Sequence, residues 1–204
     1  MVESMDAMTP YEGPWAHFDA WFDEARVTER YPEAVNLATA DADGRPSSRI
    51  VLVRSWTREG FEFFTDRESQ KGAELAANPW GALCWHWPHS PTAALGREVR
   101  AQGRVERLDD AAGDAYWTAR PRPSQLAATA SQQSQPIVSR AELQRRYAEL
   151  TATASEVVDR PARWGGYRLV PERVEFWQHH DDRLHDRLLY TRNVEGWTTT
   201  VLQP

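Results

Sequence analysis

The sequence contains a single cysteine, Cys84, among its 204 residues. One thiol cannot form an internal disulfide, so a disulfide-stabilised framework is excluded. Cys84 lies in the apolar run LCWHW, where a small core residue is more common than a reactive nucleophile. We therefore expect Cys84 to be part of the core.

Long apolar runs and an excess of basic residues are also missing. No stretch approaches the length of a membrane span, and the N-terminal MVESMDAM lacks the basic-then-apolar order of a signal peptide. The net charge of -6 argues against a nucleic-acid-binding protein, whose surface is usually basic. We expect a cytoplasmic protein that binds neither membrane nor nucleic acid.

Two common kinds of site have no signature in the sequence. No glycine-rich phosphate loop is present, neither a P-loop nor a dinucleotide fingerprint. The histidines and the cysteine never approach the spacing of zinc ligands, and the adjacent His179 and His180 would face opposite sides of a strand. No metal site is predicted.

The composition is that of an ordinary globular protein, with 41% hydrophobic and 26% charged residues. Ten tryptophans supply large apolar faces for a core, an interface or a planar ligand. Residues 1–13 are polar with scattered glycine and proline, and we interpret them as a flexible N-terminal arm. Residues 14–204 show no internal boundary and are expected to form one domain.

Hydrophobic periodicity predicts a mainly β fold with peripheral helices. Few strand–helix–strand units occur, which favours an antiparallel barrel over a doubly wound parallel sheet. The N-terminal half is predicted to contain a helix from Trp15 to about Val27, three hairpin strands in 34–66, a helix capped by Ser69, and strands GALCWHW and REVRAQGRVERL. A helix capped by Asp109 or Asp110, the loop RPRPSQ and a helix with a Ser139–Glu142 capping box follow. The chain then returns to strands at GGYRLVP, RVEFWQ, RLLYTR and GWTTTVLQ.

Anion-binding side chains recur in patterns that have two readings. In an extended RLHDR segment, Arg183, His185 and Arg187 would share one face, which favours a bound anion unless the strand is simply a solvated edge. Tyr116 and Ser124 lie four residues on either side of Arg120, so a helix would direct all three toward one point. These are donors that a phosphate monoester needs, although a polar helix end has the same composition.

Several ordered segments together resemble the pyridoxamine 5'-phosphate oxidase family, from about Glu33 to Pro204. They are RIVLVR, FFTD, SQKG, YWTARPRPSQ, SQQS, WGGYR, VEFWQ, RLHDR and the final LQP. The resemblance implies an FMN-binding split β-barrel and a homodimer in which each flavin site draws on both subunits. Exposed aromatic surface would also need cover, which favours a dimer.

The resemblance also implies roles for individual residues. Tyr116, Arg120 and Ser124 would hold a substrate phosphate together with Arg54, while Arg183 and His185 would lie over the substrate ring as catalytic residues. In the family, the SQQS contacts come from the partner subunit. The positions that match FMN contacts are Arg49, Ile50, Val51, Leu52, Arg54, Phe64, Thr65, Gln70, Lys71, Glu98, Gln133, Ser134, Trp177 and Arg187.

Three positions depart from the family pattern. Arg54 stands where lysine is usual, and a planar guanidinium does not replace a compact ammonium. Glu98 stands where glutamine is common beside the flavin, and an anion there would disfavour a bound phosphate. The loop PHSPTAALG, residues 88–96, is longer than usual. In addition, Arg49 and Arg54 would face opposite sides of a regular strand, so both reach one flavin only at a strand end or a bulge.

The resemblance implies an FMN-dependent oxidase that converts pyridoxamine or pyridoxine 5'-phosphate to pyridoxal 5'-phosphate, with oxygen as acceptor and hydrogen peroxide as by-product. A related flavin oxidase of secondary metabolism, of the phenazine-biosynthesis type, is the alternative that the three departures favour. A non-catalytic flavin- or haem-binding split barrel is a third reading. The first two readings predict a small-molecule substrate beside the cofactor.

Overall fold

The computed structural model describes residues 8–89 and 96–204. Residues 1–7 of the predicted arm and residues 90–95 of the 88–96 loop lie outside this description. The described helices are α1 (Pro14–Thr28), α2 (Gln70–Ala77), α3 (Asp110–Ala119), α4 (Arg122–Ala130) and α5 (Arg140–Thr153). The described strands are β1 (Ala34–Ala40), β2 (Pro46–Thr57), β3 (Gly60–Asp66), β4 (Trp80–Trp87), β5 (Arg97–Arg107), β6 (Trp164–Gln178), β7 (Asp186–Asn193) and β8 (Gly196–Val201).

Six antiparallel strands close into a barrel in the order β3-β2-β1-β4-β5-β6, and the β3–β6 pairing completes the circle. This confirms the predicted antiparallel barrel. The long strand β6 pairs with β3 through residues 164–169 and with β7 through residues 173–178. Strands β7 and β8 therefore continue the sheet outside the closed ring of six strands, and Leu188 and Tyr190 of β7 join the same buried core as the barrel residues.

The two strands predicted at GGYRLVP and RVEFWQ are one continuous strand, β6. A register shift opposite Gln102 and Gly103 lets the strand bend near Pro171 without ending. Proline lacks the N–H that a regular ladder uses, so it is tolerated at such a bulge. Pro171 therefore marks a bend within β6 and not a strand boundary. Before the bend β6 pairs with β3, and after it β6 pairs with β7.

Helix α1 closes one side of the barrel with its aromatic face. Phe18 makes edge-to-face contacts with Phe61 and Trp85, and each of the three has relative exposure of 0%. The tryptophans are mostly structural, because five are buried and four are half-buried. Cys84, by contrast, is half-buried on β4 rather than in the core. Burial and then the charge of Glu98 raise the pKa of its thiol to about 12.

The predicted caps Ser69, Asp109 and Ser139 are confirmed, because their side chains accept hydrogen bonds from the backbone N–H groups of the first helical turns. The Glu142 carboxylate binds Arg145 and Arg146, so only the Ser139 half of the predicted capping box is observed. The predicted loop RPRPSQ was wrong from Arg122 onward, because α4 begins there. A proline is favourable in a first helical turn, where its missing N–H costs nothing. None of the helices in residues 8–89 and 96–204 is long and apolar enough to cross a membrane.

His17 is a fully buried histidine at the contact between α1 and the sheet. Its ring stacks on Phe176 with centroids 3.7 Å apart, and Tyr11 stacks on it with centroids 4.5 Å apart. Its Nδ1 lies 3.3 Å from the Tyr190 hydroxyl, while its Nε2 has no hydrogen-bond partner among the described residues. Burial and then the charge of Arg97 lower the pKa of His17 to about 3.

We expect His17→Leu to reduce the pH dependence of the free energy of unfolding between about pH 3 and pH 6.5. The unfolded chain binds a proton at His17 below pH 6.5, whereas the folded chain stays neutral down to about pH 3. Wild-type stability should therefore fall as the pH is lowered through this window, by about 1.4 kcal/mol per pH unit from this group. Denaturant unfolding at a series of pH values measures the difference. His89→Leu, at an exposed histidine, is the control. The prediction would be contradicted if the free energy of unfolding changed equally with pH in wild type, His17→Leu and His89→Leu.

Candidate functional site

The first group of predicted site residues surrounds the N-terminus of α2, and we call it the α2 cluster. It consists of Arg49, Thr65, Gln70, Lys71 and Gln133. Lys71 is 8% exposed, and its ammonium donates to Thr65 Oγ1 at 3.2 Å, to Ser69 Oγ at 3.1 Å and to Gln133 Oε1 at 3.1 Å. Gln133 reaches Lys71 within one chain, so no partner subunit is needed to bring it there.

The charge of Lys71 has no carboxylate at ion-pair distance among the described residues. Burial, followed by the charge of Arg49, lowers the pKa of Lys71, while Asp66 and Glu74 oppose the shift. Lys71 is also the only lysine in the chain, beside 23 arginines. A compact ammonium with three donors fits this enclosed point, and a planar guanidinium would not. This compositional signal was overlooked in the sequence.

Glycine at position 72 makes the placement of Lys71 possible. A Cβ atom there would lie 2.1 Å from the carbonyl oxygen of Arg67, which is inside any tolerable contact. The first turn of α2 can therefore pack directly on the loop that follows β3. The SQKG motif thus combines a cap, a buried ammonium and a close backbone approach.

Arg49, unlike Lys71, is paired inside the chain. Its guanidinium lies 3.1 Å from the carboxylate of Glu74, which also accepts from Ser47 at 2.8 Å and from Gln70 at 2.9 Å. Burial alone would raise the pKa of Glu74, but hydrogen bonds from Thr39, Ser47, Gln70 and Arg49 outweigh it and lower the pKa to about 2. Glu74 therefore stays ionised and fixes the direction of Arg49, a role that the sequence did not indicate.

The second group, the Tyr116 cluster, consists of Arg54, Phe64, Tyr116, Arg120 and Ser124. The ring of Tyr116 stacks on Phe64 with centroids 4.0 Å apart and an interplanar angle of 8°. Helix α3 ends at Ala119 and Arg120 is extended, so the predicted loop is confirmed at the first residue of RPRPSQ and the three residues do not share one helix. Arg120 still contacts Ser124, because its guanidinium donates to the Ser124 backbone carbonyl at 3.1 Å.

Arg120 has no carboxylate at ion-pair distance among the described residues. It lies over the ring of Trp164 at 4.8 Å, and its buried Nε has no partner among the described residues. Burial lowers the pKa of Arg120, and the charge of Arg54 adds to that effect, while Tyr116 opposes it. A half-buried cation without a carboxylate partner is stabilised when an anion binds, so this position is suited to an anionic ligand.

A cavity of about 650 Å³ joins the two clusters. Phe64, Arg120 and Ser124 line it from the Tyr116 cluster, and Gln133 lines it from the α2 cluster. Helix α5 supplies the opposite wall through Leu143 and other residues, a contribution that the sequence did not predict. The volume is within the usual range for a small-molecule site.

Arg54 lies at an irregularity in β2. The pairing of β2 with β3 shifts register between Val53 and Ser55, which is one of the two arrangements, a bulge or a strand end, that would let Arg49 and Arg54 reach one ligand. The Arg54 guanidinium lies 3.4 Å from the Glu33 carboxylate and is about one third exposed. Ile50, on the same strand, is 64% exposed, which leaves an apolar side chain on the outer face of the barrel.

The third group, the β6–β7 cluster, consists of Glu98, Trp177, Arg183, His185 and Arg187. Trp177 pairs with Glu98 on one side and with Arg187 on the other. Arg187 binds Glu175 at 2.7 Å, and Arg100 bridges Glu175 at 2.6 Å and Glu98 at 2.7 Å. Arg100 thereby neutralises Glu98, so the acidic departure at this position does not leave an unpaired negative charge.

The extended RLHDR segment was predicted wrongly. Strand β7 begins only at Asp186, and Arg183 has a φ of 70°, which is incompatible with a strand. Arg183 and His185 therefore lie in the turn that precedes β7, and Arg187 lies inside the strand. The ring of His185 contacts Trp177 with centroids 4.8 Å apart, so the cluster still forms.

The β6–β7 cluster is remote from the other two clusters within one chain. The β3–β6 pairing ends at Leu169, and Trp177 lies about 25 Å further along β6 at the usual rise per residue. Because Thr65 of the α2 cluster pairs with Gly165 near the start of β6, the β6–β7 cluster lies at the opposite end of that strand.

The donor set fits the phosphate-bearing flavin that the resemblance implies. Lys71 and Gln70, in the first turn of α2, are donors of the kind that bind phosphate. The Lys71 ammonium has no carboxylate at ion-pair distance in the described chain, so its charge is not cancelled. Among the described residues, no group of three or more histidine, cysteine or carboxylate side chains is arranged to hold a metal ion.

Comparison with known proteins agrees with this geometry. Residues 22–154 match "Pyridoxamine 5'-phosphate oxidase", and residues 164–204 match "Pyridoxine 5'-phosphate oxidase C-terminal dimerisation region". The pyridoxine/pyridoxamine 5'-phosphate oxidase of Sphingopyxis alaskensis is 48% identical over 95% of this chain and 88% of its own length. That of Herminiimonas arsenicoxydans is 48% identical over 94% and 89%, respectively.

Solved structures support the same assignment. PhzG from Burkholderia lata 383, in complex with tetrahydrophenazine-1-carboxylic acid, has a TM-score of 0.87 and 36% identity, over 96% of this chain and 94% of that one. An FMN-binding protein from Nostoc punctiforme has a TM-score of 0.74 at 20% identity, covering 96% of this chain and all of its own, and shares the fold. The chain therefore belongs to the pyridoxamine 5'-phosphate oxidase family of oxidoreductases, which includes the phenazine type.

Proposed function

We propose that the protein is an FMN-dependent oxidase that converts pyridoxine or pyridoxamine 5'-phosphate to pyridoxal 5'-phosphate. Oxygen is the electron acceptor and hydrogen peroxide the by-product; the amine substrate also consumes water and releases ammonia. The observation that carries the proposal is the unneutralised guanidinium of Arg120, beside Tyr116 and Ser124 in the cavity. It supplies what a phosphate monoester needs, and curated relatives of this name cover nearly the whole chain.

FMN would be held at the α2 cluster. Lys71, Gln70 and Gln133 would contact its phosphate, and Arg49 would be kept in place by Glu74. When bound, FMN accepts a hydride equivalent from the substrate and passes the electrons to oxygen. The protein's contribution is position and charge, because no covalent nucleophile is required.

The substrate phosphate would bind at the Tyr116 cluster. The guanidinium of Arg120 and the charge of Arg54 attract the dianion, and the stack of Phe64, Tyr116 and Trp164 keeps the phenol rigid. His185 and Arg183 would then contact the substrate ring. The backbone N–H of His180 donates to His185 Nδ1 at 3.1 Å, so neutral His185 carries its proton on Nε2 and presents a donor.

A homodimer with shared sites follows from the separation of the clusters. The β6–β7 cluster lies in the region that matches a dimerisation region, and it is too far from Lys71 to act in the same chain's site. Each site would then combine the α2 and Tyr116 clusters of one subunit with Trp177, Arg183, His185 and Arg187 of the other. Exposed Ile50 would be covered by the same contact.

The second candidate is oxidation of a phenazine precursor. It is favoured by the similarity to PhzG, whose complex contains tetrahydrophenazine-1-carboxylic acid, and by Arg54 in place of lysine. Arg100 pairs with Glu98, so the acidic residue at position 98 gives less support to the phenazine-type reaction. A carboxylate ligand would also need fewer donors than the Tyr116 cluster offers.

Purified FMN-loaded protein should oxidise pyridoxine 5'-phosphate with formation of one peroxide for each pyridoxal 5'-phosphate. The measurement follows peroxide and the aldehyde product in parallel, with tetrahydrophenazine-1-carboxylic acid as the competing substrate. Unphosphorylated pyridoxine is the control, because it removes only the group that Arg120 would bind. Turnover of the phenazine precursor alone would transfer the assignment to the second candidate. Inactivity toward both would reject both proposals.

A further inference from the structure

The turn between β6 and β7 is organised around one residue, His180, through both its side chain and its backbone. Its Nε2 lies 2.8 Å from Asp186 Oδ2, its backbone N–H donates to His185 Nδ1 at 3.1 Å, and its carbonyl accepts from the Arg183 N–H at 3.2 Å. One residue therefore contacts both of the turn's proposed substrate-binding residues and the first residue of β7.

Arg183 is held in a backbone conformation that it would not adopt without support. Its φ of 70° lies in the left-handed region, which is unfavourable for a side chain with a Cβ atom. Such a conformation persists only where surrounding contacts determine it. The described contacts that close the turn are the Arg183–His180 backbone bond, the His180–Asp186 pair and a bond from the Leu184 N–H to Asp182 at 2.9 Å.

The contact with His180 also decides which nitrogen of His185 carries a proton. A backbone N–H can only donate, so Nδ1 must offer its lone pair and the proton of the neutral ring is on Nε2. Desolvation, with the charges of His179 and Arg183, lowers the pKa of His185. The neutral ring therefore carries its hydrogen on Nε2.

We propose that His180 and Asp186 are positioning residues: their side-chain pair clamps the turn so that Arg183 projects its guanidinium and His185 presents its Nε2–H to the ligand. The pair is 21% and 23% exposed, respectively, so it is shielded from much of the competing water. The inference rests on the proposed function, because it takes Arg183 and His185 as the residues that contact the substrate.

Substituting His180→Ala should reduce kcat/KM for pyridoxine 5'-phosphate by about tenfold to a hundredfold, as expected for a displaced catalytic group. Both a higher KM and a lower kcat are expected, since Arg183 binds and His185 orients. FMN affinity and thermal stability should stay near wild type. His180→Gln keeps a donor for Asp186 and should recover most of the loss. The matched control is His89→Ala, which removes another histidine–carboxylate contact, with Glu29 at 3.2 Å.

Nitrogen NMR of isotope-labelled histidine provides a test that needs no turnover. Wild type should show His185 with an unprotonated Nδ1, whereas His180→Ala should show exchange between tautomers and faster amide exchange in 181–185. If wild type oxidises neither pyridoxine nor pyridoxamine 5'-phosphate, the proposed function fails. The NMR measurement still shows whether the His180–Asp186 pair holds the turn. Unchanged tautomer and amide exchange in His180→Ala, or activity within twofold of wild type, would overturn the inference.

Discussion

Arg120→Ala should lower kcat/KM for pyridoxine 5'-phosphate by about 100-fold while FMN remains bound. The side chain is half-buried with its Nε enclosed, has no carboxylate partner among the described residues, and lies over Trp164. Charge-assisted hydrogen bonds to a phosphate contribute about 1.5–3 kcal/mol each, and each 1.4 kcal/mol is tenfold. Steady-state kinetics measure the loss, and flavin absorbance of the purified variant shows that the cofactor is retained.

The phosphate group itself provides the strongest control for Arg120. If Arg120 binds that group, the variant should discriminate far less between pyridoxine 5'-phosphate and unphosphorylated pyridoxine than wild type does. Arg45→Ala, at an exposed hairpin tip where Arg45 is 73% exposed, should leave all values unchanged. Equal losses for both substrates in Arg120→Ala would mean that the residue supports the fold and does not bind phosphate.

Lys71→Met should weaken FMN binding by about 100-fold, the largest expected effect on the cofactor. The substitution keeps the length of the side chain but removes the donors to Thr65, Ser69 and Gln133, and with them the charge available to the FMN phosphate. Titration of the apoprotein, followed by quenching of flavin fluorescence, gives the dissociation constant. Lys71→Arg should bind FMN more weakly than wild type, because a planar fork does not fit the point between three acceptors.

The single lysine makes an independent check possible. An amine-specific reagent can modify only Lys71 and the chain N-terminus, so FMN should protect Lys71 from modification in proportion to its occupancy. Mass spectrometry of the digested protein measures that protection. Wild-type affinity for FMN in Lys71→Met, or labelling of Lys71 at the same rate with FMN bound, would contradict the assignment of Lys71 to the phosphate.

Much of the fold was predictable because it depends on local chemistry. The turns DADG and TREG separate β1, β2 and β3, and the side chains of Ser69, Asp109 and Ser139 cap their helices as expected. Errors occurred where a neighbour distant in sequence decides the outcome. The bend near Pro171 continues β6 because two different strands pair with its two halves. Arg183 and His185 lie in a turn that His180 and Asp186 close.

The residue types, their order and the resemblance they carry were determined by the sequence itself, including the phosphate-binding segments YWTARPRPSQ and SQKG. Only the tertiary structure decided which cations remain available to a ligand. Arg49 and Arg187 are paired with Glu74 and Glu175, whereas Lys71 and Arg120 have no such partner in the described chain. The reason is physical: a charge is neutralised by carboxylates close in space, and barrel closure brings those carboxylates from strands and helices far apart in the sequence.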